Sequence, residues 1–392
     1  MRRGLQKVEQ RSSVGKYAEA LCIESFAVMC SCQKIRSLRC RGHGYSGAFI
    51  ASRNKRALLY TVANSGSRAS WLLRCCFATL VLLAGTAASA GALAGTDIPV
   101  EIRIGYQKSS INLLVAKQLG LVQQRFPGAH IQWTEFPAGP QLLEALGAGS
   151  LDFGMTGDTP PVFAQAGGSD VIYVGVEPAK PGSSAILVPP ESAIAALKDL
   201  RGKRIAFQKG SSSHYLVLRA LQQAGLRYQD IQPVYLAPAD ARAAFESNSI
   251  DAWAIWDPYW AAAERNTPAR VLTTGAGLSD NNTFYLSSRK FTGRYPQAIK
   301  SLFDTLSDAD RQVQQHYADA PALIAAATGL DPEVAKLFLG RRPPSPVGPL
   351  GPAVIATQQA LADTYASAGL IPHPIRVAEA VWQPGTGLAA SR

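Results

Sequence analysis

Residues 103–110 read RIGYQKSS, and residues 204–211 read RIAFQKGS. Arg103, Ile104, Gln107 and Lys108 recur as Arg204, Ile205, Gln208 and Lys209, and Tyr106 recurs as Phe207. Each stretch predicts a short strand that runs into a polar loop and then a helix. The first helix places Ile111, Leu114, Val115 and Leu119 on one face, starts at Ser109 or Ser110 and stops at Gly120. The second starts at Ser212 or Ser213, carries Leu216, Ala220 and Leu221, and stops at Gly225.

A second echo follows at a similar offset. Ser150-Leu151-Asp152 precedes FGMTGD, which ends at Asp158, and Ser249-Ile250-Asp251 precedes AWAIWD, which ends at Asp257. In both, a helix leads into a strand that ends on an Asp with a Pro within two residues. Two elements recurring together predict two α/β lobes of similar plan, each a mainly parallel sheet flanked by helices. In such sheets ligands sit beyond the carboxyl ends of the strands, at helix starts. The repeated loops therefore face one shared cleft. From Thr283 the pattern changes: TFYLSS reads as a strand, and helical stretches near 295–328, 331–340 and 352–369 return to the first lobe.

Charge and cysteine both sort along the chain. Residues 1–90 hold 14 Lys and Arg against 3 Asp and Glu, so the formal charge of +11 lies entirely there. The remainder is neutral and carries no electrostatic footprint for nucleic acid. All six cysteines, Cys22, Cys30, Cys32, Cys40, Cys75 and Cys76, precede residue 91. No His or Cys pair follows Cys32 and Cys40 at zinc spacing, and a cysteine-free body suits an oxidising compartment.

Residues 72–88, LLRCCFATLVLLAGTAA, follow Arg68, are interrupted by Arg74, and end near Ala88-Ser89-Ala90 and Ala92-Leu93-Ala94. This predicts a secretory signal over 68–90, cleaved after Ala90 or Ala94, and not a membrane anchor. The first 67 residues have no sustained period. They read as a false start or disordered leader, with a start at a residue such as Val62; a genuine extension is the alternative.

The chemistry concentrates in Lys209-Gly210-Ser211-Ser212-Ser213-His214, between a strand and a helix. Unpaired N–H groups and the positive dipole end meet three hydroxyls there, which predicts a receptor for a tetrahedral oxyanion. Gln107 and Lys108 end the first strand and offer amide donors and a positive charge; a solvated loop explains them equally. Thr156-Gly157-Asp158 lets backbone approach a ligand. Asp158 and Asp257, each before Pro, read first as helix caps, and otherwise as groups that repel sulfate or meet an amino group. Trp256 ends its strand and suits an apolar ligand stem, Trp253 and Trp260 read as core, and Phe136-Pro137 offers a further wall.

Catalytic signals are sparse. His130, His214, His316 and His373 are scattered without metal spacing, and there is no Walker loop, G-x-S-x-G elbow or H-E-x-x-H. No catalytic residue, metal or cofactor is expected.

GYQKSS, EFPAGPQLLEAL, TGDTPPVFAQA, YVGVEP, KGSSSH, PADARAAF, DAWAIWDPY and RRPP together resemble the periplasmic aliphatic sulfonate-binding proteins of ABC transporters, from about residue 100 to Trp382-Gln383-Pro384. The chain departs from that pattern in its long leader and at Ser110, where relatives often have Gly. The resemblance implies a type II two-lobed periplasmic-binding-protein fold with two crossover hinge strands. Its lobes would be 97–182 with 281–392, and 183–280, hinged near 177–186 and 274–284. It implies a monomer in the periplasm that binds alkanesulfonates and meets an ABC permease and its ATPase subunits. The implied site is Gln107, Gly157, Asp158, Ser211, Ser212, Ser213 and Trp256-Asp257. Taurine, nitrate and sulfate esters are the nearer alternative ligands. An enzyme like the pyrimidine synthases of thiamin biosynthesis is the more distant one, opposed by the cysteine-free body.

Overall fold

The computed structural model describes residues 98–383. The expected leader and secretory signal, 1–90, lie outside the described residues. The chain lays down β1 (Glu101–Tyr106), β2 (His130–Glu135), β3 (Phe153–Gly157) and β4 (Val171–Glu177), then crosses to a second sheet. There it forms β5 (Ser184–Val188), β6 (Arg204–Phe207), β7 (Gln232–Tyr235), β8 (Ala252–Trp256) and β9 (Arg270–Thr274). It then returns as β10 (Thr283–Ser288), over the residues read as a strand from TFYLSS.

The sheets share one plan. The orders are β2-β1-β3-β10-β4 and β7-β6-β8-β5-β9. Four strands in each run parallel, and the fourth position holds the antiparallel strand that has just crossed over, β10 in one lobe and β5 in the other. The central strand β10 is buried almost throughout because helices cover both faces, and β4, at the sheet edge, is buried as well because Tyr173 and Val176 bridge to Val381 and Gly348. The edge strands β2, β7 and β9 are partly exposed.

An ion pair repeats with the plan. Asp152, just before β3, accepts from the Arg103 backbone N–H at 2.9 Å and from its guanidinium at 2.9 and 2.7 Å. Asp251, just before β8, accepts from the Arg204 backbone N–H at 2.7 Å and from its guanidinium at 3.2 and 2.8 Å. The guanidiniums also donate to the carbonyls of Gly149 and Asn248, both left-handed residues, with φ of 76° and 57°. One carboxylate thus clamps β1 to the approach of β3, and its counterpart clamps β6 to the approach of β8. The SLD and SID echoes are these clamps.

Separate cores form on the two faces of each sheet. In the first lobe, the Ile111–Gln118 helix packs with the long Pro296–Gln315 helix. The latter buries Ile299, Leu302, Leu306, Ala309 and Val313, a stripe at helical spacing. Each such leucine contributes about 1.5–3 kcal/mol. The helices Ala320–Thr328, Pro332–Gly340 and Pro352–Ser367 complete this lobe. In the second, Leu216, Val217, Ala220 and Leu221 of the Ser212–Gln223 helix cover one face of the sheet, and Phe245, Trp253 and Trp260 lie on the other.

The chain passes between sheets over 178–183 and 275–282, and these segments are tied together. The Lys180 N–H donates to the Asp280 carbonyl at 2.9 Å, and Asn281 Nδ2 donates to the Lys180 carbonyl at 3.3 Å.

Candidate functional site

A small cavity lies between the lobes, where the carboxyl ends of the parallel strands converge. The first lobe contributes Gln107, Ser109, Met155 and Gly157, and the second Ser211, Ser212, Trp256 and Asp257. Lys180 and Asn281 enter from the two crossovers, and Phe338 from the returning helices.

The second lobe presents the Ser212–Gln223 helix end-on. Ser211 is its N-cap in extended backbone, and its hydroxyl donates to the Gln208 carbonyl at 2.7 Å. Gly210, at φ 72°, makes the turn into it, a conformation that glycine adopts without strain. The first N–H groups of this helix find no intrahelical carbonyl and carry its positive dipole end. Opposite, the Gln107 amide donates to the Met155 carbonyl at 3.0 Å, and Ser110 Oγ accepts the Gln107 N–H at 3.0 Å. Gly157 lies against Ser212: a Cβ there would meet Ser212 Oγ at 2.1 Å.

The structure brings together Gln107, Gly157, Ser211, Ser212, Trp256 and Asp257. Four other residues read as site candidates do not line the cavity. Lys108 Nζ donates to the Thr328 carbonyl at 2.8 Å, completing the carboxyl end of the Ala320–Thr328 helix. Ser213 turns inward, fully buried, and its hydroxyl has no partner among the described residues. His214 also turns inward and stacks on Phe207 at 4.9 Å; its Nδ1 accepts the Gly210 N–H at 3.3 Å. Burial, aided by Lys209, pushes this imidazole down to about 3, so it is neutral at ordinary pH.

Asp158 occupies the N-cap position of the Thr159–Ala166 helix, but its side chain makes no capping bond. The capping expectation is corrected there: its backbone is already helical, not the extended form from which a side chain caps the helix. Instead its carboxyl accepts the Thr159 hydroxyl at 3.1 Å and the Ser212 hydroxyl from the other lobe. Burial pushes it up to about 6.

Asp257 does serve the Tyr259–Asn266 helix, accepting the Ala261 N–H at 3.0 Å through Oδ1. Arg341 Nη1, from the returning RRPP segment, meets the same oxygen at 3.0 Å. Oδ2 has no partner among the described residues. Burial raises this carboxyl to about 7, against the pull of Arg341. Arg341 also pairs with Glu264 and lies 3.6 Å over the Trp260 ring. Its carbonyl accepts the Ser183 hydroxyl at 3.2 Å, so one residue straps the two lobes beside the cavity. Trp256 stands edge-on to Tyr259, with ring centres 5.9 Å apart, and forms an apolar wall.

Sequence reasoning missed Ser109 as a lining group, and also Met155, Lys180, Asn281, Thr283 and Phe338. Ser109 was visible as a helix start. The others carry no local signal, because crossovers about a hundred residues apart in the chain meet only in the folded protein.

A profile of the NMT1-like family matches residues 97–328. A curated protein of Escherichia coli (strain K12), named for binding aliphatic sulfonates, is 47% identical over 293 residues, 75% of this chain and 92% of that protein. The alkanesulfonate-binding protein SsuA from Xanthomonas axonopodis pv. citri, solved bound to MOPS, superposes with a TM-score of 0.70 at 48% identity, over 72% of this chain and 98% of that one. The periplasmic aliphatic sulphonate binding protein SsuA from Escherichia coli gives 0.68 at 47% identity, over 75% and 95%. Two lobes of this plan, closed over a cavity with helix-end donors, and identity near one half along nearly the whole of these relatives place the chain in the NMT1-like family, among the aliphatic sulfonate-binding proteins.

Proposed function

We infer that this chain is the solute-binding component of an ABC importer, which captures aliphatic sulfonates between its lobes and hands them to the permease for sulfur acquisition. The observation that carries this reading is the helix start at Ser211 and Ser212, which opens on the cavity opposite Gln107 and Gly157. A sulfonate is ionised at every physiological pH and only accepts hydrogen bonds, so donors at a helix end suit its three oxygens. Trp256 and Phe338 supply apolar wall for the alkyl stem. Nothing in this arrangement requires turnover: the role is binding, not catalysis.

The lobes, 97–182 with 281–392 and 183–280, rotate about the two crossovers. Ligand that touches both lobes favours the closed form by the difference in its affinity for the two forms. The closed form is what the permease, working with its ATPase subunits, reads. Among the described residues no helix is long and apolar enough to cross a membrane. The chain works as a free monomer in the periplasm.

Calorimetry of the purified protein with alkanesulfonates, taurine, nitrate, sulfate and sulfate esters tests this. Alkanesulfonates bind most tightly, and Ser211→Ala with Ser212→Ala weakens them about 10- to 100-fold. Ser213→Ala, whose hydroxyl faces away, leaves affinity within about threefold. Preference for nitrate or taurine reassigns the ligand, and turnover of any of these compounds overturns the binding-only role.

A further inference from the structure

We propose that Lys180 supplies the positive charge that selects an anion in this site, and that it does so from the hinge. The inference rests on the binding reading above and adds to it a residue outside the helix-end donors.

Among the described residues, Lys180 is the only basic one that lines the cavity. Its side chain is 10% exposed, yet among the described residues its ammonium makes one hydrogen bond, at 3.0 Å to Glu177 Oε2. An ammonium has three donors, so two are unengaged by protein in a nearly buried position. Leaving charged donors buried without acceptors is unfavourable unless an acceptor arrives. The acidic lining residue, Asp257, is already offset by Arg341, so the cation at the first crossover is not cancelled from across the cavity.

A simpler account is that Lys180 only neutralises Glu177. Glu177, however, also accepts from the Tyr285 hydroxyl at 2.6 Å and from Asn112 Nδ2 at 3.0 Å, and lies 3.5 Å from Arg342. Although burial pushes the Glu177 carboxyl up, Lys180 and Arg342 together hold it below the usual carboxylate range. Arg342 in turn contacts Asp310 at 3.2 Å. Glu177 is thus held from behind by fixed partners, and it anchors Lys180 Nζ at the cavity wall. Burial lowers the ammonium pKa against the pull of Glu177, and Arg342 lowers it further while Asp158 raises it. An anion at the two free donors favours the charged form again.

The placement links charge to motion. The Lys180 backbone is bonded on both sides to the second crossover, at Asp280 and Asn281. An anion that engages Nζ therefore loads both strands about which the lobes turn.

The test is calorimetry on the full chain with butanesulfonate and with the uncharged butanesulfonamide. The variants are Lys180→Gln, Lys180→Arg and the pair Glu177→Gln with Lys180→Gln. The pair removes both charges and keeps the Glu177, Asp310, Arg342 and Lys180 group neutral, so it separates ligand binding from folding. Lys180→Gln and the pair should each weaken butanesulfonate about 10- to 100-fold and leave butanesulfonamide within about threefold; Lys180→Arg should recover most of the loss. A pair that binds butanesulfonate within about threefold of the wild type overturns the role of Lys180 alone. An equal loss for sulfonate and sulfonamide assigns Lys180 a structural role and overturns it too. Wild-type protein that binds no sulfonate overturns the functional reading and this proposal with it.

Discussion

The two lobes are alike at the back and different at the front. At the back, Arg103–Asp152 and Arg204–Asp251 repeat nearly atom for atom, down to the left-handed residues whose carbonyls they bind. At the front, the Asp that ends the third strand has parted company with its counterpart. Asp158 is bonded to Thr159 and to Ser212 of the other lobe, whereas Asp257 is strapped by Arg341. Closing a parallel sheet poses the same problem twice and keeps the same solution. Holding one ligand between unlike walls does not, so the mouths diverged.

The comparison breaks first at Arg341. Arg341→Met leaves the Asp257 carboxyl buried without its cation, and unfolding in urea at pH 8 should lose about 3–5 kcal/mol. The loss should shrink at pH 5. The folded carboxyl, already raised to about 7, then holds its proton and carries no charge to strand. An equal loss at both pH values would show that packing on Trp260, not charge, makes the strap.

Asp158 gives the next effect. Its folded pKa of about 6 lies above that of an exposed Asp, so the native state binds a proton that the unfolded chain has released between about pH 4 and 6. Stability from this group is present at low pH and lost as pH rises through the folded value. Asp158→Asn removes that loss. Between pH 4 and 8 the stability difference should move in favour of the variant by on the order of 3 kcal/mol. His214, with its folded pKa lowered to about 3, acts with the opposite sign: stability is lost as pH falls below its unfolded value. It is common to both proteins and cancels in the difference. Parallel pH profiles would refute the assignment.

The rear clamps sharpen the comparison at smaller cost. Asp152→Ala should cost about 2 kcal/mol in denaturant unfolding, since it leaves the Arg103 backbone N–H without an acceptor and its guanidinium with the Gly149 carbonyl alone. Asp251→Ala should cost less. Asp251 and Arg204 are 30% and 42% exposed, against 12% and 30% for Asp152 and Arg103, so water replaces the lost carboxylate more easily.

Gly157→Ala should move stability least. Its Cβ would clash with the Ser212 hydroxyl, which must rotate away, and would touch Ser212 Cβ and the Asn282 carbonyl at ordinary contact distances. Sulfonate affinity should fall about tenfold with the unfolding midpoint nearly unchanged. Unaltered affinity would show that the Ser212 hydroxyl does not face the ligand.

Much of this was legible in the chain. TFYLSS is β10, the glycines at 120 and 225 follow their helices, and Trp253 and Trp260 are core. The serine row was legible only in part. Successive helical residues turn by about 100°, so Ser211 and Ser212 face the cavity while Ser213 and His214 rotate into the lobe. Local sequence says that a helix starts there, but not which way it points.

By itself, the sequence determined two lobes of one design, the strand and helix ends within them, and a hydroxyl-rich helix start in the second lobe, because periodicity and capping are local physics. Tertiary structure alone decided that Arg341 straps Asp257 and that Lys180 and Asn281 stand at the cavity. Those contacts join segments far apart in the chain, and they exist only once burial of both sheets has fixed where the crossovers meet.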